Sequence, residues 1–325
     1  MRRTVLGLAT LALLAGCGGT PGSEDASGAT PGPGATLEPT APAPAPAPAS
    51  RKPVPKPSPT PRNELADLAE QAASAAPAPS IPPQTGAVLG ADISWPQCPV
   101  GMGIPEKRTL GMPLPLPDAR YVVIGLTNGP GFYANPCLAE QVAWARQNDV
   151  LVSAYAVASY PEAPELQRFA DTGPYDGSDG LGALRNVGYQ QARFNIASLQ
   201  SAGFVTPIVW IDVEPVPDFE WSSDPVANAA VVEGLARGYR DAGYEIGVYS
   251  TPYLWEGVVG DLALGVPEWR AAGQTSRAEA LSRCGAEWVI QGGPAVLGQW
   301  VEADRDQNVT CPGVSADLGR WFHRY

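Results

Sequence analysis

The stretch Ile208–Pro215, IVWIDVEP, places two carboxylates, Asp212 and Glu214, at the end of an apolar run that otherwise reads as a buried strand. Side chains alternate along a strand, so Trp210, Asp212 and Glu214 share one face while Val209, Ile211 and Val213 share the other. An apolar neighbour can hold one carboxyl protonated near neutral pH while a better solvated one ionises. That division of roles suits glycoside hydrolysis, which takes an acid for the leaving oxygen and a carboxylate for the positive charge developing on the sugar.

Two other stretches offer acids. GADISWPQC carries Asp92, followed by Ser94, Trp95 and Gln97, and GQWVEADRDQNVTC carries Gln299, Trp300, Asp304 and Asp306. The whole chain has one histidine, His323, the third residue from its end. A Ser-His-Asp triad or a histidine-rich metal site would have to be built around it, so the chemistry is expected to rest on carboxylates, tyrosines and backbone groups. No CxxC pair is present, and neither a metal nor a cofactor is expected.

These residues need elements to position them. Strand-like apolar runs recur at Val88–Ile93, Tyr121–Leu126, Leu151–Val157, Pro207–Val213, Ile246–Tyr249, Pro267–Ala271, Trp288–Gln291 and Val296–Val301. Helical patterns lie between them at Cys137–Gln147, Ala183–Ala202, Asn228–Gly243 and Ser276–Cys284. This alternation predicts an α/β fold with a parallel sheet, and eight runs predict a (β/α)8 TIM-like barrel. A doubly wound open sheet competes, but no glycine-rich phosphate loop follows the first run. In a closed barrel the aliphatic face of IVWIDVEP packs against helices, and its Trp-Asp-Glu face points inward with the carboxylates near the strand's C-terminal end. First and last strands become neighbours, which predicts Asp306 beside Asp92.

Residues 1–17, MRRTVLGLATLALLAGC, have two arginines, a short apolar core and the sequence LAGC; they read as an export signal. Residues 18–86 are rich in Pro and Ala and predict a disordered, extended linker, reaching about 200 Å at full extension. Within it Asn63–Ala76 has a short helical pattern. Residues 87–325 are long enough for one domain. The chain holds 33 Asp and Glu against 21 Lys and Arg, and no basic face points to nucleic acid. Cys98, Cys137, Cys284 and Cys311 are an even set in an exported chain, which predicts two disulfides among three possible pairings. Cys98 with Cys137 is favoured because each follows one of two consecutive strands, leaving Cys284 with Cys311 by elimination.

The N-terminal sequence resembles bacterial lipoproteins, which implies cleavage before Cys17, lipidation of its thiol and attachment to the outer face of the cell membrane. GADISWPQ, WIDVEP, IGVYS and the QW…DQN stretch resemble glycoside hydrolase family 25 muramidases, and more narrowly secreted actinobacterial proteins with a SWPQC motif. The resemblance covers about 89–309 as separate strand-end motifs. It implies cleavage of the β-1,4 bond between N-acetylmuramic acid and N-acetylglucosamine. Glu214 matches the general acid, Asp212 the second carboxylate of the Asp-x-Glu pair, Asp92 the first-strand acid and Asp306 the acid after the last strand, with Asp317 a rival for that place. Tyr249 matches a fifth-strand tyrosine that holds a sugar acetamide or orients an acid. Two departures stand out: IGLTNG, with Gly125 and Asn128, replaces a Lys and Glu pattern, and Ala156 stands where an aromatic or histidine is usual.

The expected function is therefore a lipid-anchored cell-envelope hydrolase of peptidoglycan or another envelope glycan. Tyr249, Gln97, Trp95, Trp300, Tyr155 and Asn128 are candidate substrate contacts, and Tyr133, Trp255 and Trp269 are further aromatics for stacking on sugars. Whether configuration is retained or inverted depends on carboxyl separations. The departures support an alternative, a barrel that binds glycan or an envelope partner without turnover. A purely structural envelope lipoprotein is a third reading, one without a cleft. The sequence assigns no oligomeric state.

Overall fold

The computed structural model describes residues 80–325. The export signal, Cys17, the 63–76 pattern and the linker as far as residue 79 lie outside the described residues. Eight strands close a barrel in chain order. They are β1 Leu89–Ile93, β2 Tyr121–Gly125, β3 Leu151–Val157, β4 Ile208–Asp212, β5 Glu245–Ser250, β6 Glu268–Ala271, β7 Ala295–Glu302 and β8 Arg305–Thr310. The helices among the described residues are α1 Leu138–Gln147, α2 Ala163–Phe169, α3 Gly180–Ser201, α4 Pro225–Asp241, α5 Pro252–Val259 and α6 Arg277–Ser282.

The closed barrel departs from the expected (β/α)8 pattern at its seam. Strands β1 to β7 pair in parallel, but β8 runs antiparallel to both β7 and β1. Only Ala303 and Asp304 separate β7 from β8, both at positive φ (51° and 56°). A parallel partner needs a crossover of a dozen residues or so, whereas two residues make a hairpin. The connection from β1 to β2 carries 3-10 turns and no α-helix.

The Trp288–Gln291 run, expected as a strand, is instead the end of a 3-10 turn and a bend. Its backbone is satisfied without a ladder: Ile290 and Gln291 donate their N–H groups to the Glu268 carboxylate at 3.0 and 2.9 Å. The eighth strand is RDQNVT, a segment too polar to read as a strand.

Two apolar layers hold the barrel. Val209, Ile211 and Val213 join an outer cluster with Ala192, Ile196 and Leu199 of α3 and Val232, Leu235 and Tyr239 of α4. Trp210 joins an inner cluster with Tyr121, Val123, Tyr249 and Trp269. Within it the rings of Trp210 and Trp269 meet edge to face at 6.2 Å, and those of Tyr249 and Trp269 lie 4.5 Å apart. So large a ring in the lumen needs a bare neighbour: a Cβ on Gly247 would fall on the Trp210 ring. Trp321 and Phe322 close the floor, where His323 pairs with Val152, far from any role among the acids. Ile81 packs against this floor and Gln84 donates its N–H to the Ser315 carbonyl at 2.8 Å. The disulfides are Cys98–Cys137 and Cys284–Cys311, spanning 39 and 27 residues, so the favoured pairing is the one formed.

Candidate active site

Asp92, Asp212, Glu214 and Asp306 all line one cleft of about 240 Å³ at the C-terminal ends of the parallel strands. Asp92 ends the inward face of β1. Because β8 runs antiparallel beside β1, with Ala91 opposite Gln307, it carries Asp306 up to the same mouth. Asp212 closes β4, in register with Tyr249 of β5 and Val157 of β3. Glu214 lies two residues further on, and the Trp221 indole N–H steadies it by donating to its main-chain carbonyl at 3.0 Å.

Asp92 is gripped by two amides. Asn308 donates through Nδ2 to its Oδ1 at 2.7 Å, and Gln299 through Nε2 at 3.1 Å. Each amide is oriented from behind: the Trp269 indole N–H donates to Asn308 Oδ1 at 2.7 Å, and the Tyr249 hydroxyl to Gln299 Oε1 at 2.9 Å. Both donors are therefore forced to point N–H groups at Asp92, which favours its ionised form.

Burial works against that preference. Desolvation raises Asp92 well above the usual carboxylate range, Asp306 raises it further, and the Asn308 and Gln299 bonds pull it back. Asp212 is raised well above its ordinary value by burial, then by Glu214 and Asp92. Its Oδ1 has no hydrogen-bond partner in the protein. Glu214 is pushed up to about 7, mostly by burial and next by Asp306. Asp306 is raised by burial. The four acids cannot all carry charge together, and the arrangement divides them. Asp92 has two donors that stabilise an anion, whereas Glu214 keeps a proton close to neutral pH.

The candidate contacts divide as well. Trp95, Gln97 and Tyr155 line the cleft. Gln97 accepts the Ser94 backbone N–H at 2.8 Å through Oε1 and so shapes the turn after β1. Tyr249 belongs to the clamp behind Asp92. Asn128 stands apart, buried, with Oδ1 accepting from Ile104 N–H and Nδ2 donating to the Lys107 carbonyl. Trp300 packs outside the barrel with Ala280 and Val309, its indole N–H on Glu302. Trp255 also faces outward, and Tyr133 and Asp317 are exposed away from the cleft.

The two departures weigh less than the sequence suggests. Ala156 faces the helical layer, so Tyr155 and Val157 border the cleft in its stead. A Cβ on Gly125 would lie 2.8 Å from the Tyr155 ring and 2.5 Å from Ser94 Cβ, so the tyrosine already fills that place.

Trp269, expected to stack on sugar, is instead buried behind the clamp. Asn308 was not legible as a site residue, although the alternation of Asp306, Asn308 and Thr310 on one face is a signal once RDQNVT is taken as a strand. Replacing Asn308 with Leu is expected to cost about 1–3 kcal/mol, because the Trp269 N–H loses its acceptor in a buried site. It should also raise the proton affinity of Asp92. The acid limb of a pH–rate profile would then move to higher pH, and an unmoved limb would exclude the clamp as a tuning device.

Comparison with known proteins adds to this geometry. A family profile described as Lysozyme-like protein 1 matches residues 183–279, the span from α3 through β4 and its carboxylates to the start of α6. Over 66 residues the chain is 38% identical to "Probable GH family 25 lysozyme 4" of Dictyostelium discoideum, covering 20% of this chain and 30% of that protein. In this region the chain is similar to a protein named as a GH25 lysozyme. This lysozyme-like region is also 27% identical over 70 residues to "Lysozyme-like protein 5" of Caenorhabditis elegans, covering 22% of this chain and 31% of that protein. The chain thus spans under a third of the length of the curated relatives it matches. A solved structure of a glycosyl hydrolase 25 from Streptococcus pneumoniae is similar with 14% identity and a TM-score of 0.46, over 72% of this chain and 92% of that one.

Proposed function

We propose that this chain is a glycoside hydrolase that cleaves β-1,4 bonds of a peptidoglycan-type glycan by carboxylate catalysis. The observation that carries the reading is the pairing, in one cleft, of a proton-holding Glu214 with an amide-clamped Asp92. Glu214 protonates the scissile oxygen, since its proton is still present near pH 7. Asp92, with both donors directed at it, supports the positive charge that grows on the sugar ring. Asp212 offers its unpartnered Oδ1 to an acetamido N–H, which orients that group at the reacting carbon. Asp306 sits across the cleft and helps keep the Glu214 proton in place.

A polymer needs more room than 240 Å³. Pro215, Val216 and Pro217 are shared with an adjoining groove of about 870 Å³, walled by Trp221 and the exposed ring of Tyr253, which suits further sugars of the same strand. We extend the reading to location: an exported protein tethered through Cys17, with two disulfides suited to an oxidising compartment.

The test is release of reducing ends from purified peptidoglycan. Activity should fall as pH rises through about 7, where Glu214 gives up its proton. Glycan capture without any released ends would leave the barrel as a binder. An alkaline limb far above 7 would remove Glu214 from the acid role.

A further inference from the structure

We propose that Lys107 reads an anionic group on the glycan, a carboxylate borne by a muramic-type sugar or by the peptide attached to it. The inference rests on the hydrolase reading above and names what its cleft selects. Among the described residues that line the cleft, Lys107 is the one lysine or arginine, set against four carboxyl groups. The chain as a whole carries a formal charge of −12. A polyanionic strand entering such a cleft meets repulsion, and a fixed ammonium at its wall offsets that repulsion where the anion sits. A neutral strand gains nothing from it.

The lysine is held for this purpose by residues with no other evident task. The buried Asn128 side chain clamps both ends of the Ile104–Lys107 turn, accepting from Ile104 N–H at 2.8 Å and donating to the Lys107 carbonyl at 3.0 Å. Gly129 follows at φ +85°, and a Cβ there would stand 2.9 Å from Lys107 Cγ, so the lysine stem lies along bare backbone. Its side chain is consequently only 11% exposed.

The present partner of the ammonium is easily displaced. Asp218 lies 3.4 Å away with its own side chain 61% exposed, and such pairs hold weakly in water. The Phe219 ring, 5.9 Å from Nζ, adds a soft contact on the same loop. A substrate carboxylate can take over from Asp218 without stranding a charge, because Asp218 returns to solvent.

The experiment uses the full chain carrying Glu214→Gln, so that glycan is bound without cleavage, and measures three ligands. These are peptide-bearing strands, strands stripped of peptide so that the lactyl carboxylate is free, and neutral N-acetylglucosamine oligomers. Adding Lys107→Ala is expected to weaken binding of at least one anionic ligand about tenfold, the scale of one charge-assisted hydrogen bond. The neutral oligomers should bind as before, and Lys107→Arg should restore most of the loss. Whichever anionic ligand responds identifies the source of the carboxylate. Equal weakening toward all three ligands would reduce Lys107 to a strap between loops, and no weakening, or no binding by any protein, would also overturn the proposal. Turnover by the chain with an intact Glu214 is scored separately. Cleavage with no selective loss defeats Lys107 alone, whereas selective loss without cleavage defeats the hydrolase reading alone.

Discussion

Glu214→Gln is expected to lower reducing-end release by about 10²–10⁴-fold and, above pH 7, to make the protein more stable than the parent. Both effects come from one cause. Glutamine keeps the shape and leaves the Trp221 bond to the main-chain carbonyl untouched, but it has no proton to give the leaving oxygen. On the stability side, Glu214 binds its proton at about 7 in the fold against an ordinary 4.5. A carboxyl raised in the folded state contributes stability that is fully present below the unfolded value and lost as pH rises through the folded one. Across that gap the loss is about 3 kcal/mol, and glutamine, having no charge to bury, avoids it. Urea unfolding at pH 5 and pH 8 reads the second effect, with the variant gaining on the parent only at the higher pH. Parental rates of glycan cleavage by the glutamine variant would remove Glu214 from the reaction. Identical unfolding midpoints at pH 8 would remove the strain attributed to it.

Strands β1 to β7 each fall on an expected run, most of them because buried parallel strands are nearly all apolar, and the alternation in IVWIDVEP separated its helix-facing and lumen-facing sides. The sheet's closing strand was hidden by the same chemistry that makes it useful. Its inward residues Asp306, Asn308 and Thr310 are polar, with Asp306 in the cleft and Asn308 gripping Asp92, so the segment has no apolar stripe on that face. The reverse error fell on Trp288–Gln291, an apolar run whose N–H groups find a carboxylate in place of a neighbouring strand. The short α5 was missed although Thr251 and Pro252 give it a cap and a first residue, since the eight residues of PYLWEGVV make only about two turns, too short a run for a helical period to stand out. The acids were readable from type and position, but the amides behind Asp92 depend on β8 turning back beside β1, which no local pattern states.

Glu268→Ala should be the most destabilising single change in the barrel wall, at about 3–5 kcal/mol. Glu268 and Arg270 are two residues apart on β6, facing away from the lumen while Trp269 faces in, and they are 0% and 3% exposed in their side chains. Arg270 reaches Glu268 Oε2 at 2.7 Å and donates also to the carbonyls of Arg283 and Gly285. The Glu268 carboxylate accepts further from the N–H groups of Ile290, Gln291 and Gly293. The pair therefore fastens the whole 283–293 segment to the sheet, and that segment leads into β7, which supplies Gln299 to the Asp92 clamp. Removing the carboxylate strands a buried guanidinium and several N–H donors at once. Two apolar residues in place of the pair often cost little in other proteins, but here Glu268→Met with Arg270→Met should not rescue, because the three N–H groups still lack an acceptor. Glu268→Gln should recover little as well, since its NH₂ group would confront donors. Urea midpoints with unchanged slopes measure all three. A double methionine variant as stable as the parent would show that the ion pair is dispensable and that the segment holds itself in place by its own packing.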